Sequence, residues 1–157
     1  MENTISFIPA RPNWPENGEG EAIMTEHELV VLALNMRERA YAPYSGFRVG
    51  AALLCGDGTV YTGCNLESAS YPCGLCAERV AAAKALSEGR RDFGVLAVAG
   101  SAKELCTPCG LCRQFLFEFT PQLRILCAND VGMWKAYDLH ALLAEGFGGA
   151  SLSMGTE

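Results

Sequence analysis

Two short cysteine-bearing stretches constrain this chain more than anything else in it: Cys76-Ala77-Glu78 and Pro108-Cys109-Gly110-Leu111-Cys112. Three thiols close three corners of a tetrahedron around a zinc ion and leave the fourth for water. Glu78, two residues past the first thiol, is placed to move that water's proton. Any fold the chain adopts must bring these two stretches together across the residues that separate them.

The spacing also permits a closed site. Cys73-x-x-Cys76 with Cys109-x-x-Cys112 would spell a four-thiolate structural zinc, and Cys106-x-x-Cys109 offers another pairing. Three points favour the open site. Zinc ribbons carry about 15–20 residues between their cysteine pairs, whereas 32 lie between Cys76 and Cys109. A chain of 157 residues, half of them apolar, has core enough to fold without a metal. A closed site also has no use for a carboxylate at Glu78. His27 and His140 read as surface residues, one in a capping turn and one in a terminal helix.

The net charge of −6, with no block of one sign, argues against a partner held by its phosphate backbone and for a small molecule. No apolar run approaches the roughly 20 residues of a membrane span, and the N-terminus has neither a basic start nor an apolar stretch of signal-peptide type. The expectation is a cytoplasmic protein without nucleic-acid or membrane partners. In that compartment its eight cysteines read as thiols and metal ligands.

Three segments divide the chain: a flexible arm over residues 1–24, rich in Pro, Gly and Asn, a single domain over 25–149, and a tail over 150–157. Within the domain, Thr25-Glu26-His27-Glu28 is a capping box opening a helix to about Arg39. Val49 to Cys55 reads as a buried strand. Gly56-Asp57-Gly58 turns it back into a strand over Thr59–Gly63. After an irregular stretch, an alanine-rich helix runs from Cys76 to about Glu88, stopped by Gly89. Phe93–Ala99 is a strand, Gly110–Phe119 a helix, and Arg124–Ala128 and Met133–Tyr137 two further strands. The link between these last two is too short for a parallel crossover, so they pair antiparallel. Asp138 caps a short final helix, Leu139–Ala144. The order implies an α/β fold in three layers, a five-stranded mixed sheet between helices.

Both cysteine stretches then sit at helix N-termini, where the backbone carries roughly half a positive charge and favours thiolate over thiol. A zinc with three thiolates is net negative and resists making hydroxide. Arg79 and Arg113 are candidates to donate to sulfur and offset that charge.

These residues carry a specific resemblance. The chain resembles the small, homotetrameric, zinc-dependent cytidine deaminases of pyrimidine salvage, whose paired zinc and proton-shuttle signature is the one described above. Four segments match in order: Tyr44-Ser45-Gly46-Phe47-Arg48-Val49-Gly50-Ala51-Ala52, Gly63-Cys64-Asn65-Leu66-Glu67-Ser68-Ala69-Ser70-Tyr71, Cys76-Ala77-Glu78-Arg79, and Pro108-Cys109-Gly110-Leu111-Cys112-Arg113-Gln114. The likeness runs from about residue 25 to 149. It implies the cytidine deaminase-like fold and one zinc per subunit on Cys76, Cys109 and Cys112. It implies hydrolysis of cytidine and 2'-deoxycytidine to the uridines and ammonia by zinc-bound hydroxide, with Glu78 as proton shuttle. Asn65 and Glu67 match the pair that grips the ribose 3'-hydroxyl, Phe47 the aromatic on the base with Val49 beside it, and Ala77 the backbone amide that meets O2. Ala69 and Tyr71 match residues that reach the 5'-hydroxyl from a neighbouring subunit. Phe147 resembles an aromatic that closes the pocket from another subunit, so the implied enzyme is a homotetramer with shared sites.

Cys73 and Cys106 depart from the pattern and read either as buried small hydrophobes, the favoured reading, or as alternative metal ligands. Cys55, Cys64 and Cys127 read as core. Two other functions compete: a deaminase of another cytosine-containing nucleoside, such as an aminoacyl-nucleoside antibiotic, and a non-catalytic structural zinc module.

Overall fold

The structure, a computed structural model, describes residues 24–152. All of the expected arm except Met24 lies outside the described residues, as does 153–157 of the expected tail. One sheet organises the rest, because its longest strands are apolar on both faces. The elements are α1 (Glu26–Met36), β1 (Val49–Cys55), β2 (Val60–Cys64), α2 (Ala77–Ser87), β3 (Phe93–Gly100), α3 (Gly110–Phe117), β4 (Arg124–Ala128), β5 (Trp134–Asp138) and α4 (Leu139–Leu142), with short 3-10 turns at Arg37–Arg39, Tyr71–Cys73 and Gly149–Ser151. The five strands lie in the order β2-β1-β3-β4-β5. β1 pairs antiparallel with both β2 and β3, β3 with β4 is parallel, and β4 with β5 is antiparallel as expected.

Every residue of β1 is buried, and successive side chains go to opposite faces. Ala51, Leu53 and Cys55 join a cluster with α2, α3 and α4; Ala52 and Leu54 join Leu29, Val30 and Ala33 of α1. The sheet therefore sits between one helix and three. Two glycines let the helices come close. A Cβ on Gly50 would stand 2.0 Å from the Ala33 carbonyl oxygen of α1, and one on Gly63 would stand 2.3 Å from the Ala77 carbonyl oxygen of α2.

The capping box at Thr25 and Glu28 forms in full. The hairpin turn places Gly58 at φ 87°, which glycine adopts without steric cost. Several ends differ from the sequence expectation. The first helix tightens to 3-10 after Met36, and β2 runs one residue further on, to Cys64. α3 stops at Phe117, because Phe119 and Thr120 turn back to the Leu116 carbonyl. α4 ends at Leu142, since Leu143 leaves the helix at φ −133°. Asp138 occupies the cap position of α4, but its side chain makes no cap hydrogen bond. No helix among the described residues is long and apolar enough to cross a membrane.

Candidate metal centre and adjoining cavity

β2 and β3 both run antiparallel to β1 and so finish at the same end of the sheet, from which the chain passes once into α2 and once into α3. Cys76 is the N-cap of α2 and Cys109 the N-cap of α3; neither thiol caps its helix. Cys112 is the third residue of α3 and fully buried. The three Sγ atoms lie within 4.8 Å of one another, and among the described residues they form the one cluster of three or more such ligand atoms. Cys76 and Cys109 are 3.8 Å apart at sulfur. Two thiolates on a tetrahedral zinc, each at about 2.3 Å, stand about 3.8 Å apart. The donor set and its spacing therefore fit zinc, with one corner left over. Cys106 and Cys73 stay outside the cluster.

The electrostatics point the same way. The Cys76 thiol is lowered to about 5, chiefly because Cys112 donates to it, with Arg79 and Cys109 adding to the effect against the cost of burial. The same contact drives Cys112 upward, since it keeps the shared proton. Arg79 donates from Nη2 to the Gly74 carbonyl at 3.2 Å and approaches Cys76 Sγ at 3.9 Å. Its Nε is buried without a hydrogen-bond partner among the described residues. Arg113 does not join it. Each of its three nitrogens donates elsewhere, to the carbonyls of Pro108 and Leu142 and to Thr107 Oγ1, which corrects the expectation that it serves sulfur.

Glu78 is 4% exposed on the first turn of α2. Burial, opposed in part by its own backbone amide, raises its carboxyl to about 7. A carboxyl poised there can both take and give a proton near neutrality.

Beside this carboxyl opens a cavity of about 270 Å³ lined by Ser45, Phe47, Val49, Asn65, Glu67, Cys76, Ala77, Glu78, Cys106, Thr107 and Cys109. Asn65 ties its wall together. Oδ1 accepts from Val49 N and Nδ2 donates to Phe47 O, both at 2.8 Å. Glu67 accepts from the Ser45 hydroxyl and from the Tyr44 and Ser45 amides. The Ser45 hydroxyl first, then those amides, hold its carboxyl below the usual range. A carboxylate has about four acceptor positions. Two are used on Oε2 and one on Oε1, so one on Oε1 is left for a ligand.

Ala69, Tyr71 and Phe147 do not line this cavity. All three are exposed, and Tyr71 packs edge-on to Tyr44. Cys73 is exposed rather than buried, bonded to Ser70. Cys106 is half-buried on the cavity wall, its thiol pushed up to about 12 by burial and by the nearby charges of Glu78 and Cys76. Sequence reasoning missed Ser45 and Thr107 as lining residues. A serine before a turn glycine carries no signal that it donates a hydrogen bond to a carboxylate 22 residues on.

Residues 24–128 match the family model described as the cytidine and deoxycytidylate deaminase zinc-binding region. A cytidine deaminase of Sporosarcina psychrophila is 41% identical over 135 residues, which are 85% of this chain and 99% of that one. One of Halalkalibacterium halodurans is 51% identical over 98 residues, 62% of this chain and 74% of that one. Among solved structures, cytidine deaminase from Burkholderia pseudomallei superposes with a TM-score of 0.76 at 44% identity, covering 79% of this chain and all of that one. Cytidine deaminase from Mycobacterium tuberculosis superposes at 0.66 and 39% identity, covering 76% and 94%.

Proposed function

The chain belongs to the zinc-binding cytidine and deoxycytidylate deaminase family, and from that premise we propose that it hydrolyses free cytidine and 2'-deoxycytidine to uridine and 2'-deoxyuridine, releasing ammonia, in pyrimidine salvage. The observation that carries this reading is the conjunction of three clustered thiols with a buried carboxyl on one small cavity.

Cys76, Cys109 and Cys112 would hold the zinc, which when bound supplies Lewis-acid activation of a water for attack at cytosine C4. Glu78 accepts a proton from the attacking water and passes it to N3, then accepts the second proton from the new hydroxyl on C4 and delivers it to the amino group as the C4–N bond breaks, leaving a C4 carbonyl. Water enters and ammonia leaves, so Glu78 ends as it began. Its burial keeps it within a proton's free-energy reach of both partners. Arg79 offsets the negative charge of the thiolates.

Phe47 packs on the base with Val49 beside it, and the Ala77 amide meets O2. The amide atoms of Asn65 are committed to the wall, so its share in gripping the 3'-hydroxyl goes through the donor and acceptor capacity each still has. Glu67 accepts that hydroxyl on Oε1. A 3'-phosphate would meet this carboxylate, so polymeric substrate is excluded.

We read the active form as a homotetramer with shared sites, in which Ala69, Tyr71 and Phe147 serve a neighbour's cavity. Their exposure supports this, as does an open cleft of about 430 Å³ on the outer side of α2, lined by Leu66, Leu75, Val80, Ala83 and Phe115 together with Arg79, Lys84 and Ser87. The eight unpaired cysteines suit the cytoplasm. The test is loss of cytidine absorbance with and without a zinc chelator, run alongside an oligonucleotide. Zinc-dependent turnover of the free nucleoside alone is expected. A zinc-loaded preparation that leaves cytidine intact refutes the assignment.

A further inference from the structure

The two residues after Cys112 reach away from the thiols, toward the C-terminal segment. Arg113 Nη1 donates to the Leu142 carbonyl at 2.7 Å while Nε holds the Pro108 carbonyl at 2.7 Å. Gln114 Nε2 donates to the Phe147 carbonyl at 2.7 Å. Between these ties the segment folds tightly onto α3. Glu145 takes the left-handed region at φ 54°, which side chains other than glycine adopt at a cost. A Cβ on Gly146 would stand 3.0 Å from Phe117 Cε2 and 2.8 Å from Leu143 Cδ2. What this tied and strained segment presents is a phenylalanine ring that is 54% exposed. Within one chain that arrangement leaves apolar surface in water. It makes sense where the ring meets a second copy.

We propose that Gln114 is a positioning residue: by fixing the Phe147 carbonyl it sets the place of the ring that closes a neighbouring copy's nucleoside cavity. The helix that carries a subunit's own Cys109 and Cys112 thereby sets nucleoside affinity next door. This rests on the reading that Phe147 closes a neighbour's cavity. Because Arg113 still ties Leu142 when Gln114 is changed, the loosening is confined to the residues beyond α4.

The experiment uses the zinc-loaded full chain and Gln114→Met, which keeps the stem and lacks the donor. The expected result is unchanged zinc content and tetramer, kcat within about twofold, and a cytidine KM raised about three- to tenfold, the range one net hydrogen bond supports. Amide exchange over residues 145–149 quickens. Phe147→Ala raises KM at least as much, and Gln114→Met adds less than about twofold in that background, because the two act as one unit. Mixed tetramers locate the effect: when Gln114→Met is carried only on Glu78→Gln subunits, the intact subunits still show the raised KM. Should Gln114→Met fail to fold, Gly146→Ala displaces the same segment by crowding Phe117 and Leu143 and must show the same KM rise, lost in the Phe147→Ala background. A KM that rises for Phe147→Ala and stays put for Gln114→Met overturns the role of Gln114. A KM unmoved by Phe147→Ala overturns the closing ring itself.

Discussion

Gly63 lies under the first turns of α2, and replacing it with alanine should move the helix start that carries Cys76 and Glu78. An added Cβ would stand 2.3 Å from the Ala77 carbonyl oxygen, 2.7 Å from Ala81 N and 3.0 Å from Val80 Cβ. Ordinary contact begins at 3.4 Å, so the worst approach falls short by about 1 Å (3.4 − 2.3). The two nearest atoms are backbone and cannot swing aside. β2 is pinned by its ladder to β1, with Gly63 opposite Ala51, so the helix yields. Overpacking of this kind costs about 1–3 kcal/mol, which for a domain of this size lowers Tm by about 2–4 °C per kcal/mol. The displaced turn carries Cys76 and Glu78, and a misplacement of about 1 Å can cost about 10²-fold in rate. The assay is kcat/KM of the zinc-loaded protein, with zinc content and a thermal melt on the same sample. Gly58→Ala is the control. Gly58 is left-handed with nothing within 4 Å of its would-be Cβ, so that variant loses about 1 kcal/mol of stability and keeps full activity. If Gly63→Ala melts with the parent and turns over within twofold of it, close approach does not place α2, and the argument collapses.

Other expectations follow from the same site. Glu78→Gln should keep its zinc, since Glu78 is not among the clustered ligands, and lose at least about 10²–10⁴-fold in kcat; near-parental turnover beside full metal content would end its assignment. Arg79→Gln removes a positive charge 3.9 Å from Cys76 Sγ, a Coulomb interaction of about 4 kcal/mol at an effective dielectric of 20, reduced by solvent because Arg79 is only half-buried. Zinc affinity measured by chelator competition should fall about 10–100-fold; an unchanged affinity and rate would remove Arg79 from the site. Glu67 has its carboxyl lowered, first by the Ser45 hydroxyl. Its ionised form is therefore the favoured one in the fold, and its proposed grip on the 3'-hydroxyl should be present above the ordinary carboxylate range and lost only as pH falls through the lowered value. Cytidine KM should hold flat toward acid further in the parent than in Ser45→Ala; identical KM profiles would show that Ser45 does not govern Glu67.

Much of this site could be read from the chain because its key spacings are local. Cys76 and Glu78 are two residues apart at a helix start, and Cys109 and Cys112 fall within one turn, so helical geometry alone aims each set. The unbroken apolar run of β1 and the capping box at Thr25 are equally local, which is why the element types held and only their ends moved. The burial of Glu78, by contrast, depends on α2 lying against β2 over Gly63.

The parallel pairing of β3 with β4, the direction Arg113 takes, the exposure of Cys73, and the bonds from Ser45 to Glu67 and from Gln114 to Phe147 were all hidden in the linear order. Each joins residues far apart in sequence or depends on which of two faces a side chain meets. Charge and residue type leave Arg113 free to serve a sulfur or a carbonyl. Packing α3 against the end of α4 put the Leu142 carbonyl within its reach, and geometry settled what chemistry had left open.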